Sequence, residues 1–256
     1  MISSIEQFIV VSSLGLFAGT LSAMTGGSGM IVLPVLMIAG VPPHYAIGTN
    51  KMYTAGSLLT SAITFTRRGL FKPQLWLMMI ASTILGAIFG SLLVQLSQPA
   101  VLSKIIPLFL LGIAIYMVVI KYIKHAENLN KPHNPLKNKK KNAFIGGMLG
   151  LYSGFFGAGT GSICTVLGIS VFKMEVLEAA AMSRFLCFLA NLVALITFMI
   201  LHRVNYPLGM DLVVLGSVGA YIGTRLSIKM SANLLHNLII AASLIMGLVL
   251  VYKAWF

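Results

Sequence analysis

Two cations stand where apolar side chains are expected. Lys51 and Arg184 each fall inside a long apolar run. They also occupy corresponding places in an internal repeat, since Gly48-Thr49-Asn50-Lys51 aligns with Ala181-Met182-Ser183-Arg184 at an offset of 133. A charge near the centre of a bilayer costs about 2.5–3.5 kcal/mol on insertion scales, so each cation needs compensation. The acidic residues are Glu6, Glu127, Glu175, Glu178 and Asp211. Glu178 lies six positions before Arg184, off the adjacent turn, and no carboxylate is placed to pair with either cation within its own helix. An anion from outside the chain is the natural partner. The competing reading lets both side chains snorkel to the headgroups, because each lies within about two turns of a helix start.

Polar neighbours accompany the cations. Asn50, Thr54, Ser57, Ser61 and Thr64 recur at spacings of 4, 3, 4 and 3, which is one helical face. Ser183, Cys187 and Asn191 recur every four residues on the partner segment. Such a stripe either lines a hydrogen-bonding passage or bonds helix to helix. Two glycine clusters add a second anion-binding mechanism. Thr25-Gly26-Gly27-Ser28-Gly29 and Gly157-Ala158-Gly159-Thr160-Gly161 match at an offset of 132. Half-helices starting near Met30 and Ser162 would present unpaired N–H groups and a partial positive charge at their N-termini. The candidate substrate-binding set is therefore Lys51, Arg184, Asn50, Ser183, Thr54, Asn191, Gly27, Ser28, Gly29, Gly159, Thr160 and Gly161. The competing reading of the glycines is close packing by small residues.

Catalytic and metal-binding signatures are missing from the sequence. There is no H-E-x-x-H, no metal-ligand spacing and no P-loop. No catalytic residue, metal or cofactor is expected. The histidines lie near expected helix ends or in the linker, which suits interfacial roles. Cys164 and Cys187 sit in apolar runs and read as packing residues.

The elements that hold these residues are membrane helices. Of the 256 residues 58% are hydrophobic and only 9% charged. A soluble domain carries roughly 25% charged residues, so a soluble globular enzyme is excluded. The net charge of +13 does not signal nucleic acid, because seven of the eighteen Lys and Arg residues lie between Lys121 and Lys141. That clustering is a topology signal. The N-terminus lacks a basic n-region, so the first apolar segment is expected to persist in the mature protein. Six segments reach the roughly 20 apolar residues of a spanning helix: Tyr45–Phe65, Leu75–Leu96, Leu102–Ile123, Leu177–Leu201, Leu208–Ile228 and Leu234–Tyr252. Phe8–Met24 with Met30–Ala39, and Ala143–Phe156 with Ser162–Phe172, are each too long for one span and short for two. They read as broken or re-entrant pairs, since unwound backbone survives at membrane depth only inside protein or beside water.

The expected architecture is thus an all-α polytopic membrane protein of two homologous halves. Each half is a broken pair plus three long helices. The halves are residues 1–123 and 143–256, joined by a basic linker, 124–142, that should be cytoplasmic with Arg67, Arg68 and Lys72. Inverted repeats are favoured over parallel ones, as in many secondary transporters. Gly86-x-x-x-Gly90 and Gly219-x-x-x-Gly223, also 133 apart, read as packing motifs.

The sequence resembles the TauE/SafE family of sulfite exporters over nearly its whole length. The resemblance rests on the glycine-rich opening Gly19–Pro34, the Pro42-Pro-His-x-Ala-x-Gly-Thr-Asn-Lys51 segment and its counterpart Gly150–Gly161. The Gly-Thr-Asn-Lys form is similar to the YfcA-like branch. Thr25 and Ser28 stand where many members have glycine. The resemblance implies a multi-pass protein of a bacterial-type inner membrane. It would move small anions such as sulfite, thiosulfate or sulfonates, with the lipid bilayer and that anion as partners and no nucleic acid. The rival from another class is a non-transporting membrane module that binds lipid or scaffolds a partner through the basic linker.

Overall fold

The computed structural model describes residues 13, 15–21, 29–123, 138–226, 248 and 251–252. Among these residues all regular structure is helical, with no strand. A first helical stretch covers 15–21. Then follow α1 (Gly29–Ile38), α2 (Pro43–Arg67), a 3-10 turn (Pro73–Trp76), α3 (Leu77–Leu96) and α4 (Pro99–Ile123). Beyond the linker come α5 (Lys139–Phe155), α6 (Thr160–Ser170), α7 (Val176–Ile200) and α8 (Tyr206–Leu226). Gly27, Ser28, residues 124–137 of the linker and most of Leu234–Tyr252 lie outside the described residues.

Among the described residues, three helices are long and apolar enough to cross a membrane: Pro73–Leu96, Leu177–Ile200 and Tyr206–Leu226. Their outward faces carry what lipid requires. On α3, Leu77, Met78, Leu85, Phe89, Leu93 and Leu96 are exposed, while Met79, Thr83, Ala87, Ser91 and Val94 are buried. The expected span Tyr45–Phe65 differs. It lies within α2, whose 25 residues extend about 37 Å at 1.5 Å per residue. Its mean hydropathy falls short because the Asn50–Thr64 stripe is polar, and that stripe is enclosed by protein instead of lipid. Pro42 and Pro43 start α2, where a missing N–H costs nothing.

Loop contacts sort the helix ends into two groups. At one end, His44 Nε2 on α2 donates to Val94 O on α3 (3.2 Å), and Asn205 N donates to Thr49 Oγ1 (3.0 Å). The guanidinium of Arg203 also stands over the Tyr45 ring. His44 is buried there, where the sequence suggested an interfacial role. At the opposite end, Phe71 packs on Trp76 and Phe185, and Trp76 packs edge-on to Phe172 with centroids 5.0 Å apart. Lys72, Lys173 and Glu178 line one surface hollow at this end, and Lys139 and Asn142 line another together with residues 74–79. Arg67, Arg68 and Lys139–Lys141 fall here too. It is the basic end. α2 therefore runs toward the basic end, whereas α7 starts there and runs away from it.

Small residues bring helices into backbone contact. A Cβ on Gly150 or Gly154 of α5 would overlap the carbonyls of Thr83 or Ala87 on α3, and one on Gly86 or Gly90 would overlap those of Gly147 or Leu151. The stretch 15–21 meets α8 in the same manner: Gly19 meets Gly216, and Gly219 and Gly223 meet Leu16 and Thr20. Both glycine motifs are thus packing surfaces, as expected. Helices in lipid gain little hydrophobic drive from each other, so this close van der Waals approach supplies the association.

Candidate functional site

The second glycine cluster is a real break. α5 runs inward from the basic end beside α3, with Gly146, Gly150 and Gly154 at the levels of Met79, Thr83 and Ala87. It stops at Phe155, short of the level of the last turn of α3. Gly157 (φ 78°) and Gly159 (φ 73°) then reverse the chain, a left-handed conformation that favours glycine. α6 returns toward the basic end alongside α7. Gly161 faces Ser183 and Gly168 faces Ala179.

Three side chains clamp the reversal. Tyr152 Oη donates to Ala158 O (2.6 Å), Thr160 Oγ1 donates to Gly157 O (3.0 Å), and Ser183 Oγ donates to Gly161 O (2.7 Å). The first main-chain bond of α6 runs from Ile163 N to Gly159 O (3.1 Å). The N–H groups of Thr160 and Gly161 therefore have no acceptor within their own helix. α6 begins at Thr160, two residues before the start expected from sequence.

Lys51 reaches this break from α2. Its Nζ donates to Ser153 O, a carbonyl in the last turn of α5. The N–H of Gly157 bonds Tyr152 O instead, which leaves Ser153 O available. Helix C-termini carry partial negative charge, so the lysine gains from the dipole as well as from the bond. Lys51 has 0% exposure, and no carboxylate stands with it among the described residues. It is enclosed by protein and does not snorkel.

The neighbouring candidates converge here. A Cβ built on Gly29 would lie 3.2 Å from Asn50 Nδ2 and 3.4 Å from the Cα of Ala158. One on Gly157 would meet Lys51 Nζ and come 3.3 Å from Asn191 Oδ1. Asn191 Nδ2 donates to Cys187 O (2.8 Å) and reaches Ser153 Oγ at 3.5 Å. Lys51, Asn50, Asn191, Gly29 and the 157–161 break are therefore one cluster. Ser183 joins it through Gly161. Thr54 is buried one turn further along α2, and its hydroxyl has no hydrogen-bond partner. Arg184 is also enclosed, at 1% exposure, but points toward the basic end. Its Nη1 donates to Thr165 Oγ1 and Ala180 O, each at 3.4 Å.

Sequence reasoning missed Tyr152, Ser153 and Thr83. Tyr152 and Ser153 belong to the Gly150–Gly161 motif, so proximity to the break was their signal. Thr83 lines a gap with Ser153, Thr160, Cys164 and Cys187 that is too narrow to admit a water molecule. Both cysteines are buried and free.

Spanning helices with lipid-facing apolar surfaces, together with a reversed helix pair that meets an enclosed cation, define a helical membrane protein with polar groups set into a mainly apolar core. The family model for the sulfite exporter TauE/SafE matches residues 11–250, and the chain belongs to this family. That membership makes it a membrane transporter. It is 27% identical over 254 residues to a probable membrane transporter protein of Haemophilus influenzae, covering 98% of each chain. It is 28% identical to the probable membrane transporter protein YfcA of Escherichia coli K12, over 96% of this chain and 90% of that one. A probable membrane transporter protein, ORF9, of a Sinorhizobium species is 29% identical over 90% of this chain and 87% of its own.

Proposed function

We propose that this protein is a secondary transporter of small, sulfur-containing oxyanions such as sulfite, thiosulfate and sulfonates, and that it catalyses no reaction. One observation carries the reading. Lys51 is wholly enclosed at the point where α5 ends and α6 begins, without a carboxylate beside it among the described residues. A fixed buried cation near helix-start N–H groups that have no acceptor in their own helix suits a small oxyanion, which offers several acceptor oxygens and negative charge. Asn50, Asn191 and Thr160 add hydrogen-bonding groups, and Arg184 a second charge on the side of the basic end. Gly27 and Ser28 are assigned to the same site through the repeat.

Alternating access would arise from two inverted halves, 1–123 and 143–256, rocking about the breaks. Three facts support inversion. Helices α2 and α7, related by the 133-residue offset, run in opposite directions between the two ends. The loop at 39–42 lies at the end away from the basic residues, while its counterpart at 171–175 lies at the basic end. Each half also lends a helix to the other, with α5 on α3 matching 15–21 on α8. The basic end, with the linker 124–142, is assigned to the cytoplasm of a bacterial-type inner membrane.

Sulfite flux into proteoliposomes tests the function. Lys51→Ala and Arg184→Ala should each lose most of the flux. Unchanged rates in both variants would dismiss the site.

A further inference from the structure

The transporter reading leaves open how an anion reaches Lys51. Three enclosed oxygens bear on it. Asn50 Oδ1, Thr54 Oγ1 and Ser57 Oγ are buried on α2, and none has a hydrogen-bond partner. An unsatisfied buried polar atom is destabilising, so the two hydroxyls ask for an acceptor and Asn50 Oδ1 for a donor such as water. They lie in succession from the level of Lys51 toward the basic end. The face continues at Ser61, whose Oγ meets Thr224 Oγ1 of α8 at 3.1 Å. Thr224 also donates to Ala220 O (2.7 Å), so Ser61 is the donor across the seam. α8 keeps close to α2 here through Gly216, where a Cβ would strike the Tyr53 ring and come 2.6 Å from Ser57 Oγ.

The counterpart seam between α7 and α3 is built differently. At the 133-residue offset, Ser57 and Ser61 become Ala190 and Ala194, both buried. Gly216 and Thr224 correspond to Thr83 and Ser91, whose hydroxyls donate to Met79 O (2.7 Å) and Ile88 O (2.9 Å) of their own helix. No orphaned oxygen remains at those four positions. Helix-to-helix bonding alone does not explain this contrast, because the seam with unsatisfied oxygens is the one with a cross-seam bond.

We infer that the anion passes between Lys51 and the basic end along the α2–α8 seam, with Thr54 and Ser57 as its hydrogen-bond donors and the Ser61–Thr224 bond as the closure. The inference rests on the transporter reading and adds a route to it. Opening requires α8 to part from α2 near Thr224. The hydroxyls of Ser61 and Thr224 then join the lining, so the closure contributes to the route it shuts.

The test introduces Thr54→Cys or Ser57→Cys singly into the full chain. An anionic thiol reagent is applied from either membrane face, and labelling is measured above that of the unsubstituted protein. Labelling of both from the face exposing Lys139, slowed by methanesulfonate, which unlike sulfite does not consume the reagent, is expected. Joining Ser61→Cys to Thr224→Cys by oxidation should abolish labelling at Ser57→Cys, and reduction should restore it. Thr54→Val with Ser57→Ala should slow sulfite flux about tenfold, the equivalent of about 1.4 kcal/mol. Absence of labelling at both positions, or labelling only from the opposite face, overturns the route even if sulfite is transported. Labelling from the basic face with no protection of the variants by methanesulfonate and no sulfite flux in the unsubstituted chain would instead overturn the oxyanion reading and leave a water-filled seam. Should the double variant fail to fold, the single variants still decide.

Discussion

Lys51 and Ser153, 102 positions apart, join the two parts of the chain where α5 ends: the ammonium of one caps the main-chain carbonyl of the other. This bond gives the cation a reason to stay enclosed when no anion is bound. On the proposed oxyanion reading it also makes the residue a switchable partner, because an arriving anion would compete with a carbonyl for the same three N–H donors. Lys51→Met should lower sulfite flux about tenfold to a hundredfold, the loss expected for a hydrogen bond to a charged group of about 1.5–3 kcal/mol. Its melting temperature should hold or rise, since an apolar replacement removes a desolvation penalty. A variant that melts early and transports normally would mean that Lys51 serves only the fold.

The opposite courses of α2 and α7 make a topology prediction. Ala39→Cys and Glu175→Cys sit in corresponding loops, and both positions are exposed. A membrane-impermeant thiol reagent should reach them from opposite faces. Arg68→Cys should label from the same face as Glu175→Cys, because both belong to the basic end. Labelling of Ala39→Cys and Glu175→Cys from one face would mean parallel halves, and the rocking mechanism would have to be redrawn.

The internal repeat is legible in the sequence because residue types recur at a fixed offset, as Lys51 and Arg184 do. The enclosed cation and the break at Gly157–Gly161 followed from that. Ser153 was legible only through its place beside the break, since its bond to Lys51 uses a main-chain carbonyl that any residue would supply. Nor does a Gly-x-x-x-Gly spacing name its partner. Gly86 and Gly90 gave a packing motif in sequence, but only coordinates reveal that α5 is what they hold. The helix containing Tyr45–Phe65 was read correctly from length, but its hydropathy falls below that of the three spanning helices because of the polar face it encloses. Gly27 and Ser28 lie outside the described residues, so the first break stands on sequence alone.

Backbone contact at the α3–α5 interface predicts a contrast between neighbouring glycines. A Cβ at Gly150 would overlap Thr83 O, whereas one at Gly147 would find nothing nearer than Ser82 at 3.9 Å. Gly150→Ala should therefore destabilise the protein by about 1–3 kcal/mol through overpacking. Gly147→Ala should be neutral or gain up to about 1 kcal/mol from helix propensity. Thermal melts of the detergent-purified variants check the difference. Equal melting points would mean that the helices are free to move apart at this interface.

Gly157→Ala should damage the site through two separate effects. The residue has φ 78°, where an L side chain costs roughly 1–2 kcal/mol. Its new Cβ would also occupy the position of Lys51 Nζ and press on Ser153 O. Lysine is long and flexible, so the cation can retreat, and the outcome should be a folded protein with a displaced charge. Sulfite flux should fall at least as far as in Lys51→Met, while thermal stability drops by only the backbone strain. Gly69→Ala supplies the control: it has a similar positive φ of 72°, but a Cβ there meets nothing within 4 Å. It should show the same modest loss of stability with transport intact. If both variants transport alike, the approach of Gly157 to Lys51 has no part in carrying the anion.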